Sequence, residues 1–361
     1  MMHAGDRFIP RRKDPDWNTL WTRQLPNFEP HKRASSSGVI ALDVNEERML
    51  DAPAICSARP VCACGSDSLA VAIGRDVYRW GCDIDTSVVY TDEREVQSVA
   101  GSTNHTKLAI TSFQALPTIV MDGLTEQNVL SLPSQSPVIE WSPHSANLIA
   151  TTQVGTDDAK VFDIRQQRPA TILPECRDVD QLLWHPAFPM VSAVDATGHI
   201  KSFHLNSSSK PTWTHHSGRP TEEHTPPTAA YVPGKSDGEW TLLLAHGKQL
   251  HLYSEPQRSP TKTIPVDKAI QSIVTTPTTG YTFAVDAAQR LHCFAGGNCM
   301  ERLPSAPLNV QSAIQMLVHR ESVVTVDLED ESIKFFKIRH IHQRSSRTED
   351  KGPFYNGLLL R

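Results

Sequence analysis

The chain has 361 residues, 39% of them hydrophobic and 21% charged, with a formal net charge of −5. That is enough apolar material for a packed core, and too little positive charge for a surface that tracks nucleic-acid phosphates. Its 26 prolines against 18 glycines leave little room for long helices, which excludes a helical bundle.

Length by itself leaves open two ordinary domains or one large closed architecture. The opening residues, Met1-Met2-His3-Ala4-Gly5-Asp6-Arg7, place no apolar segment behind a basic start, and no apolar run is long enough to cross a bilayer. Neither a secretory leader nor a membrane span is expected. Seven cysteines are scattered at 56, 62, 64, 82, 176, 293 and 299. An odd, dispersed set suits a reducing compartment, nucleus or cytoplasm. Cys62-x-Cys64 with Cys82 lacks the second close pair of a zinc site and sits in a β-like apolar run, so buried thiols are expected there and no metal.

Residues 1–46 carry prolines at 10, 15, 26 and 30 and aromatics at 8, 17, 21 and 28 among scattered charges, the composition of an extended arm. Within it, Asp6-Arg7-Phe8-Ile9-Pro10-Arg11-Arg12 flanks an apolar pair with arginines, and Pro10 biases Ile9 toward an extended backbone. Arginine and aromatic anchors are the residue types that dominate binding energy, although composition alone reads the same stretch as a solvated basic terminus.

From residue 47 onward one pattern recurs, a strand whose end closes on an aromatic or, once, on Met. It reads Val77-Tyr78-Arg79-Trp80, Thr118-Ile119-Val120-Met121, Ala159-Lys160-Val161-Phe162, Ile200-Lys201-Ser202-Phe203, Leu250-His251-Leu252-Tyr253, Leu291-His292-Cys293-Phe294 and Ile333-Lys334-Phe335-Phe336. The closing residues are separated by 41, 41, 41, 50, 41 and 42 positions. Each segment follows a second apolar run about ten residues upstream, and a third run precedes that one, as in Val138-Ile139-Glu140-Trp141 and Leu182-Leu183-Trp184. Several short strands per unit, repeated seven times at this period, predict an all-β fold, a seven-bladed β-propeller of WD-repeat type over residues 47–339. The Trp-Asp dipeptide of such repeats survives only as Phe162-Asp163. The one long interval coincides with Asn206 to Pro227, rich in Ser, Thr, Pro and His, which reads as an exposed loop holding His215, His216 and His224. A strand around Glu47-Arg48-Met49-Leu50 is expected to close the ring against the last blade. Residues 340–361 then form a tail ending in Leu360-Arg361.

No G-x-S-x-G, Gly-rich phosphate loop or H-E-x-x-H occurs and the sixteen histidines are dispersed, so a binding protein without cofactor or catalytic residue is expected, not an enzyme.

The arm segment resembles the C-box, D-R-F/Y-I-P-x-R, of the Fizzy and Fizzy-related WD-repeat activators of the anaphase-promoting complex. Arg48-Met49-Leu50-Asp51-Ala52-Pro53 is similar to that family's K/R-x-L-D-A-P at the start of the propeller. Leu69-Ala70-Val71-Ala72-Ile73 with Val77-Tyr78-x-Trp80 is similar to its first blade, and Leu360-Arg361 to its Ile-Arg tail. The resemblance implies a substrate receptor of a ubiquitin ligase in mitotic or meiotic cell division. Asp6, Arg7, Phe8, Ile9, Pro10 and Arg12 would dock on tetratricopeptide subunits of the ligase together with Leu360 and Arg361, and the propeller would present KEN-box and destruction-box degrons of substrates such as cyclins. Asp330-Glu331-Ser332-Ile333-Lys334 resembles the family's D-E-T-L-R, which makes Glu331 the candidate acceptor for a degron arginine; a solvated turn carboxylate is the plain alternative. The chain departs from the family after Pro53, where Ala54-Ile55-Cys56-Ser57-Ala58-Arg59-Pro60 replaces an acidic-aromatic stretch. That departure fits a divergent, specialised or meiotic member, or a pseudo-activator or scaffold that occupies the ligase without delivering substrate.

Overall fold

The computed structural model describes residues 39–342 except 53–58, 65–67, 82–85, 114–116, 123–124, 126, 134–137, 154, 167, 207–209, 216–225, 235–238, 255–258, 277–279, 296–300, 304–312, 320–321 and 328–330. Among the described residues every regular element is a strand. They form seven four-stranded antiparallel sheets, a WD40-type β-propeller. The first strand, β1 (Val39–Asp51), belongs to the last sheet. Blade 1 comprises β2 (Val61–Ala63), β3 (Ser68–Ile73), β4 (Asp76–Gly81) and β5 (Thr86–Thr91). Blade 2 comprises β6 (Val96–Gly101), β7 (Lys107–Ser112), β8 (Thr118–Asp122) and β9 (Asn128–Leu132). Blade 3 comprises β10 (Ile139–Trp141), β11 (Leu148–Thr152), β12 (Ala159–Asp163) and β13 (Pro169–Leu173). Blade 4 comprises β14 (Val179–Trp184), β15 (Met190–Asp195), β16 (Ile200–His204) and β17 (Trp213–His215). Blade 5 comprises β18 (Thr228–Pro233), β19 (Trp240–His246), β20 (Gln249–Tyr253) and β21 (Lys262–Pro265). Blade 6 comprises β22 (Ile270–Thr275), β23 (Thr282–Asp286), β24 (Leu291–Ala295) and β25 (Glu301–Leu303). Blade 7 comprises β26 (Ala313–His319), β27 (Ser322–Asp327) and β28 (Ser332–His342), with β1 outermost.

The first strand of each blade touches the first strands of its neighbours all the way round, so these strands line the central axis. Second strands such as Leu148–Thr152 and Thr282–Asp286 are buried along their whole length because a neighbouring blade covers each face. They therefore read as continuous apolar runs, whereas outer strands such as Lys262–Pro265 are largely exposed.

The core is a ring of seven apolar clusters, one at each blade boundary. This arrangement explains the 41-residue period. The aromatic or Met that closes each third strand lies in the cluster between its own blade and the preceding one: Trp80 between blades 7 and 1, Met121 between 1 and 2, Phe162 between 2 and 3, and so on to Phe336 between 6 and 7. Each repeat supplies one large side chain to the wedge that joins it to the blade before.

Two expectations are corrected. The closing strand is not a short segment at 47–50 but runs from Val39 to Asp51, paired with β28 from Val39↔His342 to Asp51↔Ser332. Residues 39–46 and 340–342, expected outside the ring, are thus part of blade 7, because their backbone groups pair with each other whatever side chains they carry. The stretch 206–227 is not all exposed loop. Trp213-Thr214-His215 is the fourth strand of blade 4, with Trp213 and His215 buried. The Trp213 ring packs edge-on to Tyr253, whose hydroxyl meets His215 Nε2 at 2.5 Å across the blade boundary. Three residues are too few for alternation to show amid Ser, Pro and His.

Candidate functional site

The docking residues Asp6, Arg7, Phe8, Ile9, Pro10 and Arg12, and the terminal pair Leu360 and Arg361, lie outside the described residues. The remaining candidate, Glu331, sits in the turn between β27 and β28, beside the seam where blade 7 meets blade 1.

The turn between second and third strands follows a common design. In blades 1, 3, 4 and 5 it uses a glycine with positive φ, at Gly74, Gly155, Gly198 and Gly247. Gln289 (φ 64°) takes that place in blade 6 and Glu331 (φ 48°) in blade 7. A left-handed backbone costs a side-chain-bearing residue about 1 kcal/mol or more, so surrounding contacts must hold it. In blade 6 the holding is local. Asp286 accepts from the backbone N–H groups of Ala288 at 2.8 Å and Arg290 at 3.0 Å and contacts His292 Nε2 at 2.7 Å. Burial pushes the Asp286 carboxyl up, but the Arg290 amide and His292 outweigh it and leave it below the usual carboxylate range. Asp195 caps the blade 4 turn in the same way, accepting from Thr197 and His199. In blade 7 the matching Asp327 is buried opposite Lys334 Nζ at 3.6 Å, and the Glu331 carbonyl accepts from the N–H of Ala52 at 2.7 Å. The Glu331 side chain is exposed.

Below the turn, the seam is floored by Trp80 and Phe335, ring centroids 5.4 Å apart. Tyr78 and Val88 pair across β4 and β5 in register with Val71, which faces this seam, so blade 1 offers an apolar wall on which Val88 is 48% exposed. The inner end is clasped by Gln315, whose Nε2 donates to the Val61 carbonyl at 2.7 Å while its Oε1 accepts from the Val61 N–H at 3.1 Å. Gln181 makes the same two-way contact to Ala229 between blades 4 and 5. The seam thus carries an exposed glutamate on the blade 7 side and a half-exposed valine on the outer strand of blade 1, with Trp80 and Phe335 buried between the blades.

Arg59 belongs to the stretch 54–60 in which the sequence departs from the family it resembles. Its carbonyl accepts from Val99 N–H at 3.0 Å, and its guanidinium is ion-paired with Glu140 on the innermost strand of blade 3. Burial raises the Glu140 carboxyl and Arg59 opposes the rise. Asp180 is raised as well, by burial and then by Asp195 and Asp178, with Arg59 again opposing. Arg59 therefore serves the central channel, not the seam. Neither Arg59–Glu140 nor the two glutamine clasps leaves a sequence signal, because each partner lies in a different repeat at no fixed spacing.

Cys62 and Cys64 are unbridged, and burial raises both thiols, so they remain protonated and unreactive. Cys82 lies outside the described residues. Among the described residues no group of three or more His, Cys, Asp or Glu could hold a metal ion.

No family model matches the chain and no curated protein matches it. Among solved structures it is similar to a chain of the crystal structure of the mitotic checkpoint complex, at 17% identity with a TM-score of 0.68, covering 82% of this chain and 96% of that one. Altogether 1587 chains of solved structures match, so the likeness fixes a widespread fold, a propeller, and leaves function to the site.

Proposed function

We propose that the chain is an activator and substrate-recognition subunit of the anaphase-promoting complex ubiquitin ligase, of the Fizzy type. The observation that carries the reading is the junction of motifs: a C-box-like segment leads into a closing strand, and that strand ends beside an exposed glutamate over an apolar seam. Asp6, Arg7, Phe8, Ile9, Pro10 and Arg12 dock on tetratricopeptide subunits, with Leu360-Arg361 as a second anchor whose terminal guanidinium and carboxylate suit a superhelical groove. Glu331 accepts the cation of a degron in targets such as cyclins. Likeness to a chain of a checkpoint complex agrees with a place in cell division; a mitotic or meiotic role in nucleus and cytoplasm belongs to the activator reading itself. The protein is a receptor and not an enzyme.

Pull-down of the ligase with wild type, Arg7→Ala and a chain lacking Arg361 tests the docking. Both changes lower recovery if the reading holds, and undiminished recovery in both refutes it. A second reading, a pseudo-activator that occupies the ligase without delivering substrate, is favoured by the pairing of Arg59 with Glu140 where the family has an acidic-aromatic stretch. Docking without stimulated ubiquitination of destruction-box or KEN-box substrates would select it.

A further inference from the structure

Ser-Pro or Thr-Pro pairs begin at Ser136, Ser142, Thr225, Ser259 and Thr276. Ser142 and Thr276 are buried and their hydroxyls serve the fold: Ser142 Oγ accepts from the His144 N–H at 3.2 Å, and Thr276 Oγ1 from the Tyr281 N–H at 3.0 Å. Ser136 and Thr225 lie outside the described residues. Ser259 is exposed, in the connection between β20 and β21 on the outer rim of blade 5. The third residue onward separates it further, being Ile139, Ser145, Thr228 and Thr279 for the other pairs and Lys262 for Ser259.

The backbone here already has the form in which a protein kinase reads its substrate. Pro260 carries no N–H and biases Ser259 toward extended geometry. Beyond it the chain is held straight, since Thr261 N–H donates to the Leu252 carbonyl at 2.7 Å and Lys262 pairs with Leu252 at the start of β21. β21 is the outermost strand of its sheet, and Thr261, Lys262 and Thr263 are exposed along it.

We propose that Ser259 is a phosphorylation site for a proline-directed protein kinase that selects a cation three residues beyond the acceptor. An apolar pocket takes Pro260 without leaving an N–H unpaired, and an acidic group of the kinase pairs with Lys262. Ser259 Oγ attacks the γ-phosphorus of ATP; the Oγ–P bond forms as the bond to the β,γ-bridging oxygen breaks, the hydroxyl proton passes to the kinase's catalytic carboxylate, and ADP leaves. The product adds roughly −1.5 to −2 charges close to Lys262, outside the apolar clusters that join blade 5 to its neighbours. The site stands whether or not the activator reading holds.

The test combines the full chain, ATP and a purified cyclin-dependent kinase, which has both preferences, with phosphopeptide mapping by mass spectrometry. One phosphate is expected at Ser259 and none at Ser142 or Thr276, and Ser259→Ala removes it. Lys262→Ala should lower the initial rate at Ser259 about tenfold, the scale of one charge-assisted contact. Both variants change exposed side chains and should melt as wild type does. A synthetic peptide of residues 253–265 separates the motif from the fold. If the peptide is phosphorylated and the folded chain is not, the propeller withholds Ser259 and the proposal is overturned. It is overturned as well if both stay unmodified at Ser259, or if Lys262→Ala leaves the rate unchanged.

Discussion

His185 makes the stability of the ring depend on pH in a way that can be worked from its surroundings. It follows Trp184 at the end of β14 and is 2% exposed. Its Nδ1 accepts two backbone hydrogen bonds, from Ala187 and Phe188, each at 3.0 Å. Its ring lies 4.8 Å from those of both Phe188 and Tyr231. An imidazole accepting at Nδ1 must be neutral, and burial, aided by nearby His144, pushes its pKa down to about 3. In the unfolded chain the same group titrates near 6.5. Between those values the unfolded chain holds a proton that the folded chain refuses, so stability falls as pH drops below about 6.5 and goes on falling toward 3. Going from pH 7 to pH 5 costs about 2 kcal/mol from this residue, a figure that stays the same for any folded value well below 5. His185→Asn places an amide oxygen where Nδ1 stood, keeps both backbone donors satisfied and removes the titration. Urea denaturation of wild type and variant at pH 7 and pH 5 provides the assay. The variant is less stable at pH 7, having lost the ring contacts, but its loss between pH 7 and pH 5 is smaller than that of wild type by about 2 kcal/mol. Equal losses in the two proteins would refute the argument.

Other outcomes follow from the blade boundaries. Gly101→Ala drives a methyl group into the Ala63 backbone carbonyl where β6 passes β2, and it should lower stability by about 3 kcal/mol or prevent folding, read by thermal melting. Gln315→Leu leaves the Val61 N–H and carbonyl without their clasp at the seam and should cost about 2 kcal/mol, with faster exchange in β2 as the diagnostic readout. Tyr253→Phe strips His215 of its hydroxyl partner between blades 4 and 5 and should cost about 1 kcal/mol by urea midpoint. Removing Arg361 and mutating Arg7 together should weaken ligase recovery beyond either change alone, because two weak anchors on one chain act through effective concentration.

Glu331 is a candidate from its letters alone, and its geometry is not legible there. The aligned Asp330-Glu331-Ser332 makes the residue a candidate, yet nothing in those letters says that its backbone is left-handed or that Ala52 holds it. The departure from the family around Arg59 is visible in the sequence, and its meaning is not, since Glu140 is two blades away. Composition reads His215 as part of an exposed loop, whereas the fold buries it against Tyr253 of blade 5.

What the sequence determined by itself is the repeat: seven third strands ending on a large apolar residue at a period near 41, because every blade must fill the same wedge against the blade before it. A local demand made seven times leaves a periodic trace. What only the tertiary structure decided is how the ring closes and what closure holds in place: β1 beginning at Val39, β17 inside a polar insertion, the Gln315 clasp, Arg59 in the channel and Ala52 on Glu331. Each of these joins residues far apart in the chain, once, through backbone groups or single polar pairs, and a contact made once has no period by which a sequence could announce it.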